Sequence, residues 1–252
     1  MLSGVCQMAD MVNWVLYEDR LQAHGVTPRD RAKNYAVNNI DTLMPNSVAY
    51  MTAEVVLPND EARYDQDFAF LKSDDYAIKY ICTRPGERIT CGALINWMEH
   101  QWIVTDMDVD DDIYMKGTIT KCNYMLNFTL PDGTEVSKPS YIRDVTKYLV
   151  GENEKKMITV GDSRMSVTVA KDHDTDTITR GTRFLIDDPD TLQKVAYEVT
   201  KVDRVTGVLD GSGIYKFLVC ETNVRETDDT AEMVPDNSTY HPGDPEVTGR
   251  WL

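Results

Sequence analysis

Basic residues are scarce: 26 Lys and Arg stand against 42 Asp and Glu, a formal net charge of −16 over 252 residues. Such a surface repels a phosphate backbone at long range, which argues against tight wrapping of DNA. Cysteine is sparse as well, five residues scattered at Cys6, Cys82, Cys91, Cys122 and Cys220. The odd number and wide spacing exclude a disulfide-stapled secreted scaffold and predict reduced thiols. No pair of cysteines has the C-x-x-C spacing of structural zinc sites, and His24, His100, His173 and His241 have no close partner at ligand spacing. Long apolar runs are missing. The first twenty residues lack a basic n-region, and Asp10 and Asn13 interrupt them, so neither a signal peptide nor a membrane span is expected and the chain should remain in a cytoplasm. Gly211-Ser212-Gly213 sits between strand-like segments, so it reads as a hairpin loop and not as a phosphate cradle. No nucleophile elbow is present.

The acidic clusters do not have the spacing of a calcium loop. Asp106, Asp108, Asp110, Asp111 and Asp112 would need glycine at the sixth position and glutamate at the twelfth, where Asp111 and Gly117 stand. Asp172, Asp174 and Asp176 fail in the same way, with Thr177 and Arg183 at those positions. Both stretches are expected to be polar loops. No catalytic, cofactor-binding or metal-binding residue is therefore assigned, and no enzyme activity is expected. A hydrolase on an unfamiliar β scaffold would need a cleft holding a titratable pair with shifted pKa values.

What the chain does contain divides into segments. Val5, Met8, Val12, Val15 and Leu16 recur at helical spacing, which predicts a short amphipathic helix ending near Leu21. Thr27-Pro28 supplies an N-cap hydroxyl and a proline at the first helical position, and Asp30 complements the dipole. A second helix is predicted from there, with Ala32, Ala36, Ile40 and Leu43 as its apolar stripe and Pro45 as its stop. Residues 1–45 thus read as a helical segment.

Strand signals dominate from about Met51. The clearest run is Met115 to Leu130, where Cys122, Tyr124, Leu126, Phe128 and Leu130 share one face, before Pro131-Asp132-Gly133 turns the chain into a hairpin. Residues 46–150 are assigned to a first β domain, with both Trp102 and Leu126 in its core. The polar break from Val150 to Lys156 is taken as the domain boundary. Met157–Val160, Met165–Ala170, Arg183–Ile186, Val195–Val202 and Tyr215–Cys220 follow as short strands, the pattern of a small immunoglobulin-like β-sandwich over 151–225. Residues 226–252 carry seven acidic residues against the single Arg250, with three prolines, and read as an extended or disordered arm. That arm is either a solvated tail or a strap that docks Trp251 on a neighbouring subunit.

Trp97 and Trp102 permit two readings. They could form a sugar-stacking platform on a hairpin, giving a glycan-binding module, or they could pack inward with Leu94, Ile95 and Val104. The spacing favours core packing.

Three segments in order carry a more specific signal: Cys91-Gly92-Ala93-Leu94-Ile95-Asn96-Trp97, Gln101-Trp102-Ile103-Val104-Thr105 and Lys121-Cys122-Asn123-Tyr124-Met125-Leu126. The series resembles head-closure and neck connector proteins of tailed bacteriophages. There, a glycine-announced strand leads to an aromatic residue, a turn gives a tryptophan-hydrophobic pair, and a cysteine-asparagine-x-x-leucine strand closes a barrel. Gly181–Ile186, Tyr197–Thr200 and Gly213–Phe217 resemble the appended sandwich, so the likeness spans residues 14–225. The resemblance implies a mainly β fold, with an N-terminal helical segment and a small β-barrel-like domain followed by an immunoglobulin-like β-sandwich. It also implies a structural virion protein: a homo-oligomeric ring below the portal, assembled in the host cytoplasm, that closes the DNA-filled head and offers a platform to the tail. Its partners would be portal or adaptor above, tail proteins below, and packaged DNA passing through without sequence-specific binding. An adaptor, a tail terminator and a minor capsid protein are the rival roles within that class. The arm after Glu226 has no counterpart in the pattern.

Overall fold

Thr27 starts the fold's helix as its sequence demands. This computed structural model of the chain describes residues 17–19, 25–59, 63–108, 113–145, 148–153, 156–161, 164–187 and 194–237, with backbone alone for 148–153 and 156–161. Helix α1 runs Pro28–Leu43, and the Thr27 hydroxyl accepts from the Asp30 N–H at 3.1 Å while Asp30 accepts from the Thr27 N–H at 3.0 Å. That reciprocal capping box satisfies two orphan donors. A 3-10 turn at Met44–Asn46 containing Pro45 ends the helix. No residue of α1 is buried; Ala36, Val37 and Ile40 are half-covered, and Arg84 Nε donates to Asp41 at 3.1 Å to tie the helix to the β body. Of the helix expected from Val5 to Leu21, residues 17–19 are described and helical; the rest lies outside the described residues.

Six strands then close into a barrel in the order β1-β2-β3-β6-β5-β4: β1 Tyr50–Val56, β2 Arg63–Lys72, β3 Ile78–Thr83, β4 Leu94–Trp97, β5 His100–Asp108 and β6 Lys116–Lys121. Alternation puts Ala53 and Val55 of β1 and Phe68 and Phe70 of β2 inside, where they meet Ile81, Ile95, Trp102, Val104 and Ile119. Closure comes from β1 pairing with β4, Val55 opposite Ile95. A closed barrel has no free edge.

The second unit is one sheet in the order β12-β13-β15-β11-β8-β7, with β14 attached to β15. Its strands are β7 Tyr124–Thr129, β8 Glu135–Asp144, β11 Arg164–Ala170, β12 Arg183–Asp187, β13 Lys194–Asp203, β14 Val208–Leu209 and β15 Ser212–Thr222. The sheet curls until β7 stands beside β12, so the two packed layers of the sandwich are its two halves. Leu126, Phe128, Val167, Phe184, Val199 and Phe217 fill the space between them. The fold is mainly β with an N-terminal helix, as the sequence predicts.

The division between the units differs from the expected one. The run from Met115 to Leu130 is not one strand: it breaks at Cys122-Asn123, with β6 in the barrel and β7 in the second sheet. The boundary lies there and not near residue 150, and Leu126 is buried in the second core while Trp102 is buried in the first. Side-chain alternation states which face a residue occupies, not which sheet its strand joins, and its phase changes at the crossing, from Gly117 and Ile119 buried in β6 to Leu126 and Phe128 buried in β7. The segment taken as a linker forms strands β9 Tyr148–Asn153 and β10 Lys156–Gly161, a hairpin whose strands pair with each other, so the predicted strand Met157–Val160 is not part of the second sheet. The strands predicted around Met165, Arg183, Val195 and Tyr215 are β11, β12, β13 and β15. No helix among the described residues is long and apolar enough to cross a membrane.

Candidate functional site

The chain crosses between units in two residues, and the crossing is fixed by hydrogen bonds. Cys122 N–H donates to Gln101 O at 2.9 Å in the barrel, and Asn123 N–H donates to Ser140 O at 3.0 Å in the second sheet. The Asn123 amide then imitates a strand residue, donating to Ile142 O and accepting from Ile142 N–H, both at 2.8 Å. Around this crossing Ile103, Ala170 and Ile214 are buried together, with Cys91, Leu94 and Cys122 packed against them. Gly92 also approaches the second unit's backbone. Its φ is +87°, and a Cβ built there would lie 2.0 Å from Gly213 O, an oxygen that already accepts from Lys171 N–H at 2.8 Å. Only glycine allows such backbone-on-backbone contact. The joint is thus made by the same Cys91–Trp97, Gln101–Thr105 and Lys121–Leu126 segments that carry the family resemblance.

The chemistry of the joint is inert. Burial pushes the Cys91 thiol up to about 11 and the Cys122 thiol up to about 12, so both stay protonated at neutral pH and neither supplies a thiolate. A cleft of about 830 Å³ beside the joint is lined by Arg63, Gln101, Lys138, His173 and Asp174 among others. Lys138 Nζ lies 2.8 Å from Asp172 and 2.6 Å from Asp174. Burial lowers the Lys138 pKa, but the two carboxylates outweigh it and hold the ammonium above its ordinary value. Asp172 also accepts from Thr175 N–H at 2.7 Å, and Asp176 accepts from the Tyr215 hydroxyl. These aspartates build the loop around Lys138.

Other residues singled out in the sequence fall as follows. Asp106 and Asp108 lie on β5, while Asp110, Asp111 and Asp112 lie outside the described residues. No group of three or more His, Cys, Asp or Glu among the described residues is placed to hold a metal. His100 is exposed on β5, and His173 is exposed while its N–H donates to Asn59 across the units at 3.2 Å. His24, His241 and Cys6 lie outside the described residues. Gly211-Ser212-Gly213 occupies the β14–β15 hairpin, as expected. Trp102 is 3% exposed in the barrel core, and half-buried Trp97 packs against that core, stacked on Phe70 with ring centroids 4.0 Å apart.

The feature the sequence did not announce is at the seam of the second unit. β7 and β12 are not paired with each other; the Tyr124 hydroxyl bridges them, accepting from Asp187 N–H at 3.1 Å and donating to Leu185 O at 3.5 Å. Beyond it, residues 225–237 form a folded strap bonded to both edges. Asn127 of β7 donates to Glu232 O at 3.3 Å, and Asn237 accepts from Arg183 N–H of β12 at 2.9 Å. Its anchor is Asp228, whose carboxylate meets the Arg183 guanidinium at 2.7 and 2.9 Å and accepts from Arg225 N–H at 2.7 Å and Asp236 N–H at 2.9 Å. Burial raises the Asp228 pKa, but these donors outweigh it and hold the carboxyl below its ordinary value. This part of the acidic arm is therefore a structural element; residues 238–252, including Trp251, lie outside the described residues. Between the strap and the β7–β8 turn is a cavity of about 530 Å³, floored by Phe128 and Ile178 and rimmed by Leu130, Thr182, Pro235 and Asn237.

No protein-family model and no curated protein sequence matches the chain. Among solved structures, the chain is similar to the MrkH–c-di-GMP complex of K. pneumonia, with 10% identity, 77% of this chain and 87% of that chain covered, and a TM-score of 0.24. It is also similar to that organism's apo MrkH, with 11% identity, coverage of 80% and 88%, and a TM-score of 0.23. Likeness at that level carries no argument about relationship or ligand.

Proposed function

We propose that the chain is a structural subunit of a tailed-phage neck, forming a ring below the portal that closes the filled head and receives the tail. One observation carries the reading: the three segments that resemble connector proteins converge on the joint between the units. A part that transmits load between head and tail needs two rigid bodies that cannot hinge. The closed barrel, the two-residue crossing and the Gly92–Gly213 contact supply that rigidity. Neighbouring subunits in a cyclic ring meet through two different patches, and a net charge of −16 would let DNA pass without being retained.

The test is native mass spectrometry and negative-stain imaging of the purified chain, alone and mixed with its portal protein. The expected result is a closed ring, a whole-number multiple of 28.6 kDa, that binds portal. A species that stays monomeric and ignores portal at every concentration would end the proposal.

A further inference from the structure

Strands β8 and β11 make their last pairs with outer neighbours at Ser140, opposite Tyr124 of β7, and at Arg164, opposite Cys220 of β15. Beyond that level stands the hairpin β9–β10, which among the described residues pairs only with itself. It keeps the β8–β11 register: Asp144 lies opposite Met165, and Tyr148 lies opposite Gly161, four residues further out on each strand. The second sheet therefore sends out a two-stranded ribbon whose outer edges carry no strand among the described residues.

The same register says which backbone groups those edges offer. Val145 N–H donates to Arg164 O at 3.0 Å, so that opposed pair is a hydrogen-bonded one. Hydrogen-bonded and non-hydrogen-bonded pairs alternate along an antiparallel ladder. Val150 opposite Thr159 and Glu152 opposite Met157 are thereby non-hydrogen-bonded pairs, with their backbone N–H and C=O groups directed outward. Such groups template a further strand, and a lone two-stranded ribbon is marginally stable at best in water. No proline blocks either strand. Among the described residues the chain's own body offers the ribbon no edge. The barrel is closed, and β7 and β12 meet at the seam that the Tyr124 hydroxyl bridges and the strap ties. An edge of matching length and phase exists on the same ribbon of another copy.

We infer that β9–β10 is the contact between copies of this chain, β10 of one copy pairing antiparallel with β9 of the next. Ribbons that project the same way around a rotation axis alternate in strand direction, so the sheet they form is antiparallel throughout and closes on itself without an edge. The inference deepens the neck reading by naming its subunit contact, and it needs a second copy but no portal.

The test uses the full chain with proline at one outward position. Val150→Pro blocks the β9 edge and Thr159→Pro the β10 edge, while pairing within the ribbon keeps its N–H donors. By native mass spectrometry each variant alone should be a monomer near the parent's 28.6 kDa where the parent is a ring. An equimolar mixture of the two should give a dimer, joined through the one intact edge on each copy. Variants that still form rings, or a mixture that stays monomeric, would overturn the inference. In the unaltered chain, amide exchange at Val150, Glu152, Met157 and Thr159 should slow about tenfold or more as concentration drives assembly. Exchange that ignores concentration would equally overturn it. Rings that bind portal and tolerate both prolines would leave the neck reading standing without the ribbon contact, and ribbon-joined oligomers that ignore portal would do the reverse.

Discussion

Arg183 and Asp228 form an ion pair whose side chains are 2% and 0% exposed, so its value is decided by desolvation and not by surface Coulomb attraction. Each charge alone would be buried without a partner. Arg183→Met should therefore cost about 3–5 kcal/mol, read from urea unfolding, because Asp228 keeps its burial and loses its counter-charge. The double variant Arg183→Met, Asp228→Leu should recover part of that loss, since a removed pair leaves no orphan. If Arg183→Met unfolds at the same urea concentration as the parent, the pair does not anchor the strap. The pair also sets a pH dependence. The folded-state pKa of Asp228 lies below the ordinary carboxylate value, so its contribution is present above that ordinary value. It fades as pH falls through the folded pKa. Limited proteolysis between residues 225 and 237 should be slow at neutral pH and accelerate only below about pH 4. Cleavage already fast at neutral pH would contradict the clamp.

At the scale of elements, closure of the two units is achieved differently, and each way makes its own prediction. The barrel closes by backbone pairing of β1 with β4. The second sheet closes by side chains, so Tyr124→Phe should cost about 0.5–1.5 kcal/mol and speed hydrogen exchange at the Asp187 amide, whose acceptor is the lost hydroxyl. Unaltered exchange there would mean that another group closes the seam. The joint depends on glycine: Gly92→Ala adds a methyl 2.0 Å from Gly213 O at a φ of +87°. Left-handed backbone and overpacking together should remove about 2–5 kcal/mol, lowering the melting temperature by several degrees. A variant that melts with the parent would show that the units are not in backbone contact. These elements were unevenly legible beforehand. The Thr27 cap, the Pro131–Gly133 turn and the strands around Val167, Phe184, Val199 and Phe217 rest on local chemistry, which a sequence displays directly. The boundary was misplaced because the shared face of Cys122 to Leu130 was extended back over β6, although the buried positions are Gly117 and Ile119 in β6 and Leu126 and Phe128 in β7; that change of phase was the cue to the crossing. The strap was missed for another reason. Its partner Arg183 lies 45 residues away from Asp228, and nothing local distinguishes that aspartate from the six other acidic residues of the arm.

Taken whole, the molecule joins two β units with no mobile linker between Lys121 and Tyr124, and it carries a net charge of −16. Mechanical coupling and charge act at different ranges: the joint acts through contact, whereas the charge acts over roughly a Debye length, about 8–10 Å at physiological salt. The proposed neck ring would have to let duplex DNA pass within that distance and then release it. Cationic proteins gain affinity by displacing counterions from phosphates, and a strongly acidic one has no such gain to draw on. In an electrophoretic mobility-shift titration at physiological salt, the purified chain should therefore fail to retard duplex DNA, with any dissociation constant weaker than the roughly 10⁻⁴ M upper end of non-specific binders. Lowering the salt should not rescue binding, because weaker screening strengthens the repulsion along with any local attraction. A retarded complex whose stability falls steeply with added salt would reveal a basic track neutralising several phosphates. Such a complex would contradict the proposed free passage of DNA.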